Sequence, residues 1–445
     1  MKALSPEHTT TTLSEPAVCL VHEERLCADP SRVVLRPFHL AWQAGSSEPS
    51  RALKLVRDII ALSESAVDAE LATVIRDFAG RHWQTERIFQ ERFQQIASEL
   101  DLDGATLSDN RKQLIGAYFC HEYSYAAAAL MNPSVVASPD QSGLSDGDVR
   151  FIMSMRAVGE AHISSIAFRE GIARADGSFS LWPQPSVAMA VSLDDPGKAA
   201  PAEDGPVMVH RQSDNTISNS VIFPITEAQR NGLEDLRLVQ FTHDDGRHEW
   251  LGTYTAYSGR AIRPELLRTD NFRSFRLEPL NGRASRNKGM ALFPQKIGGR
   301  YCMIGRQDGK NLYLLYSDSL TEWDDEGAML MGPRFPWELV QIGNCGSPIL
   351  CDEGWIVLTH GVGAMRKYSI GAVLLDREEP SRVIGRTEFP ILSAADEDRE
   401  GYVPNVVYTC GAMRIGDNLF LPYAVSDSAI RFASANIPYL LSRLR

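Results

Sequence analysis

The 445-residue chain has no run of about 18 or more apolar residues, so nothing in it reads as a membrane-spanning helix. Its first residues, MKALSPEHTTTTLSEP, lack the apolar centre of a secretory signal. Cysteine is scarce and scattered, with seven residues at 19, 27, 120, 302, 345, 351 and 410 and no CxxC pair. That pattern excludes a disulfide framework or zinc ribbon and leads us to expect reduced thiols in a cytoplasmic protein. The fingerprints GxGxxG, GxxxxGK(S/T), GxSxG and HExxH are all missing. Their absence removes the dinucleotide fold, the P-loop, the nucleophile elbow and the zincin site, and we expect no organic cofactor and no metal. Positive charge is also in deficit: 45 Lys and Arg stand against 57 Asp and Glu, a net charge of −12. Neither a nucleic-acid nor a membrane partner is therefore expected, although an acidic chain still has room for a local basic pocket.

What is present is ample core material, 44% hydrophobic against 23% charged residues. Residues 1–31 are polar and aperiodic and read as an N-terminal tail. Residues 32–49 read as one strand and a connection. Between 50 and 131 the apolar residues recur at helical spacing, as in Leu53, Val56, Ile59 and Ile60 and again in Ile88, Phe89, Phe93 and Ile96. This predicts three or four helices, the last running from an Asp109 cap into the Ala126–Ala129 run and stopped by Asn132-Pro133. From 132 to 445 short β-rich runs alternate with turn signals, among them 149–155, 236–242, 250–256, 355–359 and 419–424. Such a series fits a sandwich, a barrel or a propeller, and periodicity does not choose among them.

Local signatures do. Gly232-Leu-Glu-Asp-Leu-Arg237 followed by Gly252-Thr-Tyr-Thr-Ala-Tyr257 resembles the Gly-x-Glu-Asp-Pro-Arg … Tyr-Thr-Ala-Tyr stretch of glycoside hydrolase family 130. The Lys288–Pro294 segment is similar to that family's Lys-Asp-x-x-Leu-Phe-Pro, with Arg306 shortly after. Gly354–His360, Tyr368 and Gly371–Asp376 resemble a further block, and Gly401–Val407 and Tyr423–Asp427 its closing one. The resemblance covers roughly residues 132–445 and implies a mainly β chain, a five-bladed β-propeller, with the helical block inserted before the first blade. It implies action on β-mannosides: inverting phosphorolysis giving α-mannose 1-phosphate, or hydrolysis by water in some members. A sugar-binding propeller without catalysis is the third reading. Two departures stand out. Leu236 replaces a proline, and Gly289 replaces an aspartate near the anion site that the resemblance implies.

Inverting cleavage needs an acid for the leaving oxygen and an attacker on the opposite face of the sugar. A phosphorylase needs no second carboxylate, but it does need cations to hold its attacking anion. Asp235 matches the family's acid, which by the resemblance acts through a mannose hydroxyl. Alone, it reads more readily as a turn-capping aspartate, and the surrounding blocks reverse that order. Its neighbour Glu234 points away if the segment is a regular strand and shares the site if it is a turn. Arg237 is expected to hold one of the two carboxylates bidentately. By the resemblance, Lys288, Arg306, His360 and Tyr368 hold phosphate, the first three as cations, with Arg286 and Arg366 as basic neighbours. Asp427 is expected to bind sugar hydroxyls, Tyr423 to stack on a ring, and Asp398 or Glu400 to supply a loop carboxylate. His162 and Arg169, with Glu160, are candidates for the sugar site from the first blade, and a hydrogen-bonded strand end explains them equally well. The expected partners are a β-mannoside and phosphate, and the sequence is compatible with a homo-oligomer.

Overall fold

The computed structural model describes residues 17–40, 50–193, 205–212 and 216–445. Among them the chain is mainly β with few helices. The strands form five antiparallel meanders in chain order. The first runs through Ala129–Ala137, Val149–Val158, Ser164–Ala173 and Phe179–Leu181. The second runs through Gly232–Thr242, His248–Tyr257, Ile262–Thr269 and Ser274–Pro279. A single parallel pair, Gly232 with Ser164, joins these two into one sheet. The third comprises Ala291–Leu292, Tyr301–Gly305, Leu312–Ser317 and Ala328–Met331. The fourth comprises Gln341–Asn344, Trp355–Val362, Tyr368–Leu375 and Val383–Arg386.

The fifth meander, Val407–Tyr408, Asn418–Val425 and Ala429–Asn436, is completed from the other end of the chain. Strand Cys19–Cys27 pairs antiparallel with Ala429–Asn436, from Cys19 against Ala435 to Cys27 against Ala429. This corrects the expected 1–31 tail from residue 17 onward, residues 1–16 lying outside the described ones. The strand is mostly exposed and polar, so no apolar alternation marks it, and it is held chiefly by its backbone ladder.

The meanders bury both faces, which is why their strands read as continuous apolar runs. In Trp355–Val362, Trp355 and Val357 pack toward Ile304 and Leu314 of the third meander, whereas Ile356 and Leu358 pack toward Leu419 and Leu421 of the fifth. Equivalent clusters join the first meander to the second (Phe168 with Leu238) and the second to the third (Phe241 with Met303). A further one joins the fifth back to the first, through Phe420 and Phe432 with Phe151.

The four predicted helices are present as Arg51–Ile60, Glu64–Phe78, Thr85–Glu99 and Asp109–Tyr118, around a core of their own. Ser50, Ser63 and Ser108 cap three of them by accepting a backbone N–H. The block ends earlier than 131. Cys120–Ser124 is a strand paired with Val33–Pro37, so the entry and exit of the helical block lie side by side. The alanine run is not helical: Ala126 and Ala129 are buried small residues, and Ala129–Ala137 opens the first meander. Tertiary pairing overrides alanine's helix propensity here.

A chain lacking residues 1–27 leaves Ala429–Asn436 as an unpaired edge. With a net contribution of about 0.5–1.5 kcal/mol per hydrogen bond, its urea-unfolding stability is expected to fall by about 3–6 kcal/mol, with self-association in gel filtration. Unchanged unfolding would show that the strand is dispensable.

Candidate active site

The site begins with a backbone irregularity. In strand Gly232–Thr242 the register slips between Glu234 and Arg237, and Asp235 takes a left-handed φ of 59°. A bulge of this kind turns a side chain out of the regular alternation. Glu234 and Asp235 consequently face the same neighbour: Arg156 donates from Nη2 to Glu234 Oε1 at 2.7 Å and from Nη1 to Asp235 Oδ1 at 3.3 Å. A second slip, between Met131 and Ser134, gives Asn132 a φ of 50°, and its amide donates to Asp235 Oδ1 at 2.7 Å. Leu236, the residue in the proline position, points into the core and fills the space over Gly252.

Around Asp235 lies a cavity of about 250 Å³ lined by Arg156, Arg237, Lys288, Arg306, His360 and Tyr368, together with Asn132, Asn344, Arg366, Tyr408 and Asp427. Lys288 Nζ donates to Glu234 Oε2 at 2.6 Å. Arg237 does not hold a carboxylate as expected. Its Nη1 donates to the Asp235 carbonyl at 2.8 Å, Nη2 to the Tyr408 hydroxyl at 2.7 Å, and Nε to Asn344 Oδ1 at 3.3 Å. Asn344 in turn donates to the Gly289 carbonyl. Gly289 itself has a φ of 89°, a conformation in which an aspartate is strained. Arg306 makes no ion pair among the described residues, and its Nε is buried without a partner.

Burial raises the Asp235 carboxyl, but Arg156, Arg237, the Asn132 amide and Lys288 outweigh it and hold the group below its ordinary value. Asp427, on a turn with φ 47°, behaves oppositely: burial and the neighbouring Asp235 push it up to about 6, against the pull of Arg156 and Arg366. His360 is not the expected cation. Burial, Arg306 and Arg237 depress it to about 3, so it is neutral, with Nδ1 3.3 Å from the Asn344 carbonyl and its ring stacked on Tyr368.

Several expected residues lie elsewhere. Tyr423 is buried in the core between the fourth and fifth meanders and offers no stacking face. Arg169 is buried away from the cavity, donating to the Trp182 carbonyl at 2.9 Å. Glu234 sits behind the lining with both oxygens engaged. Asp398 is buried in an ion pair with Arg431 at 2.5 Å, Glu400 is exposed, and Glu160 accepts from the Ser124 N–H. His162 is exposed, 3.2 Å from the Tyr402 hydroxyl. Its hairpin is matched in the fourth meander. Ala161 and His162 have φ of 53° and 59°, Met365 and Arg366 both 55°, so His162 and Arg366 are equivalents of which only Arg366 lines the cavity.

Asn132, Arg156, Asn344 and Tyr408 were not singled out from the sequence. Arg156 is one of two arginines in Val149–Val158, and nothing in the sequence separates it from Arg150. Asn132 was hidden because Asn-Pro reads as a helix stop.

Comparison with known proteins adds the following. A family profile described as β-1,4-mannooligosaccharide phosphorylase matches residues 205–444. A 1,2-β-oligomannan phosphorylase of Thermoanaerobacter sp. (strain X514) is 34% identical over 47% of this chain and 69% of its own. A β-1,2-mannobiose phosphorylase of Listeria innocua is 31% identical over 50% of this chain and 63% of its own. Among solved structures, a putative glycosidase of Bacteroides thetaiotaomicron has a TM-score of 0.52 at 16% identity, over 71% of this chain and 89% of that one. A structure described with the glycoside hydrolases of family 130 that target β-1,2 linkages in Candida mannan has a TM-score of 0.52 at 17% identity, over 71% and 86%. At that identity the likeness is one of fold.

The Asp427 carboxyl binds its proton more tightly folded than unfolded, so between its ordinary value near 4 and about 6 the folded state loses stability as pH rises. Asp427→Asn is therefore expected to be more stable than the parent at pH 8 by on the order of 1–3 kcal/mol, with the difference vanishing near pH 4. Urea unfolding at the two pH values checks this, and a pH-independent difference would contradict it.

Proposed function

Because the chain belongs to glycoside hydrolase family 130, we propose that it cleaves β-mannosides by inverting phosphorolysis, releasing α-mannose 1-phosphate. The observation that carries this reading is the charge of the cavity. Five cationic side chains, Arg156, Arg237, Lys288, Arg306 and Arg366, face three carboxylates, Glu234, Asp235 and Asp427. The excess is two positive charges, which suits a hydrogenphosphate dianion rather than a neutral water molecule. The β-1,2 linkage is our first choice, since the relatives at 34% and 31% identity are named for it.

In this reading, a phosphate oxygen held by Arg306, Lys288, His360 and Tyr368 attacks the mannose anomeric carbon from the face opposite the leaving oxygen. The glycosidic C–O bond breaks, and its electron pair goes to the leaving oxygen. Asp235 gives its proton to a mannose hydroxyl, whose own proton passes to that oxygen. The interlocking clusters that join successive meanders, and the fifth to the first, support a five-bladed propeller with this cavity at its axis. All seven cysteines are unpaired thiols, which supports a reducing compartment such as the cytoplasm.

A second reading, hydrolysis, is favoured by one observation. Asp427, titrating near 6 in the same cavity, is a carboxylate of the kind a water-activating base requires. Incubation with β-1,2-mannobiose with and without phosphate separates the two. We expect α-mannose 1-phosphate only with phosphate, and a loss of about 10²–10⁴-fold in Asp235→Asn. Free mannose at equal rates in both conditions would establish hydrolysis.

Asp235 also makes a second prediction. Empty, the cavity keeps it ionised, because the surrounding cations outweigh burial. A bound phosphate neutralises those cations but leaves the burial, so the carboxyl must take up a proton. Calorimetric titration of phosphate in buffers of different ionisation enthalpy near neutral pH is expected to show the parent taking up about one proton more than Asp235→Asn, whatever protons the phosphate itself releases. Equal uptake by parent and variant would remove Asp235 from the acid role.

A further inference from the structure

A second cavity, of about 350 Å³, lies apart from the Asp235 site, where helix Thr85–Glu99 faces strand Val33–Pro37 and the 188–193 segment. No described residue lines both. Its volume falls in the range of small-molecule sites, about 300–1,000 Å³. Its walls are apolar, including Leu35, Trp83, Ile88, Val191 and Ile225, but its ionisable groups are unbalanced. Arg36, Arg87 and Arg92 face one lining carboxylate, Glu91, which stands 3.5 Å from Arg87.

Two of the arginines make no ion pair among the described residues, although the Glu99 carboxylate acts on Arg92 from further off. Arg92 is 5% exposed. Its Nε donates to the Phe119 carbonyl at 3.0 Å and its Nη1 to Gln95 Oε1 at 2.9 Å, while Nη2 is buried with no partner. Arg36 lies over the Phe223 ring at 4.3 Å and makes no ion pair among the described residues. Burial lowers the pKa of both guanidiniums. His82 is already engaged, its Nε2 donating to Glu122 Oε1 at 2.7 Å. Burying a cation without an anion is costly, and an orphaned donor in an otherwise apolar cavity adds to that cost. A ligand that brings negative charge removes both penalties, and an apolar body covers the walls.

We propose that this cavity is a binding site for a small organic anion, a carboxylate or a phosphate ester carried on an apolar or ring-shaped body, with Arg92 and Arg36 as its charge contacts. The inference stands whether or not the chain is a phosphorylase.

Phenylacetate and phenyl phosphate are the probes, titrated calorimetrically, with benzyl alcohol as the uncharged control. At least one anion is expected to bind the parent chain and Lys288→Ala equally, and to bind Arg92→Met and Arg36→Met at least about tenfold more weakly. Binding of phenylacetate alone identifies a carboxylate site, and binding of phenyl phosphate alone an ester site. Circular dichroism establishes that the variants are folded. Should Arg92→Met fail to fold, Arg36→Met, whose side chain donates to no backbone carbonyl among the described residues, decides the matter. The proposal is overturned if neither anion binds, if benzyl alcohol binds as well as they do, if binding survives the pocket substitutions, or if Lys288→Ala abolishes it.

Discussion

The left-handed turn of the backbone at Asp235 is the constraint on which the rest of the site depends. In a regular strand Glu234 and Asp235 would point to opposite faces, and no single cation would reach both. The bulge brings two adjacent carboxylates onto one side, an arrangement that repels itself unless positive charge is brought up to it. Arg156 spans the pair and Lys288 takes the remaining oxygen of Glu234. A left-handed non-glycine residue is unfavourable by about 1–2 kcal/mol. Here the neighbours over-determine it: the Asn132 amide binds the carboxylate of Asp235 and Arg237 grips its carbonyl.

That irregularity is tolerated because it is confined to the strand segments that line the cavity. One residue beyond the bulge, Leu236 is back in the core, and from Leu238 onward the strand packs in regular alternation between two clusters. The first strand of the first meander is built the same way, with Asn132 at its own bulge and Val135 and Val136 packed just after it. Asn344 and Tyr408 reach the cavity from the first strands of the fourth and fifth meanders. Well-packed outer strands thus hold polar groups that would not stay together on their own.

How much of this the sequence disclosed depends on what kind of interaction fixes each part. The helices were legible because amphipathic periodicity is local, although the cap expected at Asp109 is Ser108, one residue earlier. The long strands were legible as apolar runs. Strand Cys19–Cys27 was not, since its partner lies some four hundred residues away and its side chains are mostly exposed. Asp235, Lys288, Arg306, His360 and Tyr368 were reached by motif resemblance, and the cavity does bring them together. Arg156, Asn344 and Tyr408 were missed because their significance is purely one of contact. Tyr423 and Arg169 were misplaced for the same reason: a polar-tipped residue on a strand faces either a cavity or the core, and neighbouring meanders decide which.

The neutrality of His360 refines what the basic set does. A ring whose Nδ1 donates to the Asn344 carbonyl carries its lone pair on Nε2 and acts there as an acceptor. On the phosphorolysis reading it cannot share in neutralising phosphate. It suits instead the hydroxyl of a hydrogenphosphate, while Arg306, unpaired at its buried Nε, meets the ionised oxygens. Arg237 is common to both groups: with burial and Arg306 it keeps His360 neutral, and with Arg156 and Lys288 it keeps Asp235 ionised in the empty cavity. One electrostatic field therefore sets both groups, and an anion entering that field relaxes its hold on both. On the phosphorolysis reading, binding the attacking group and arming the acid are then a single physical event.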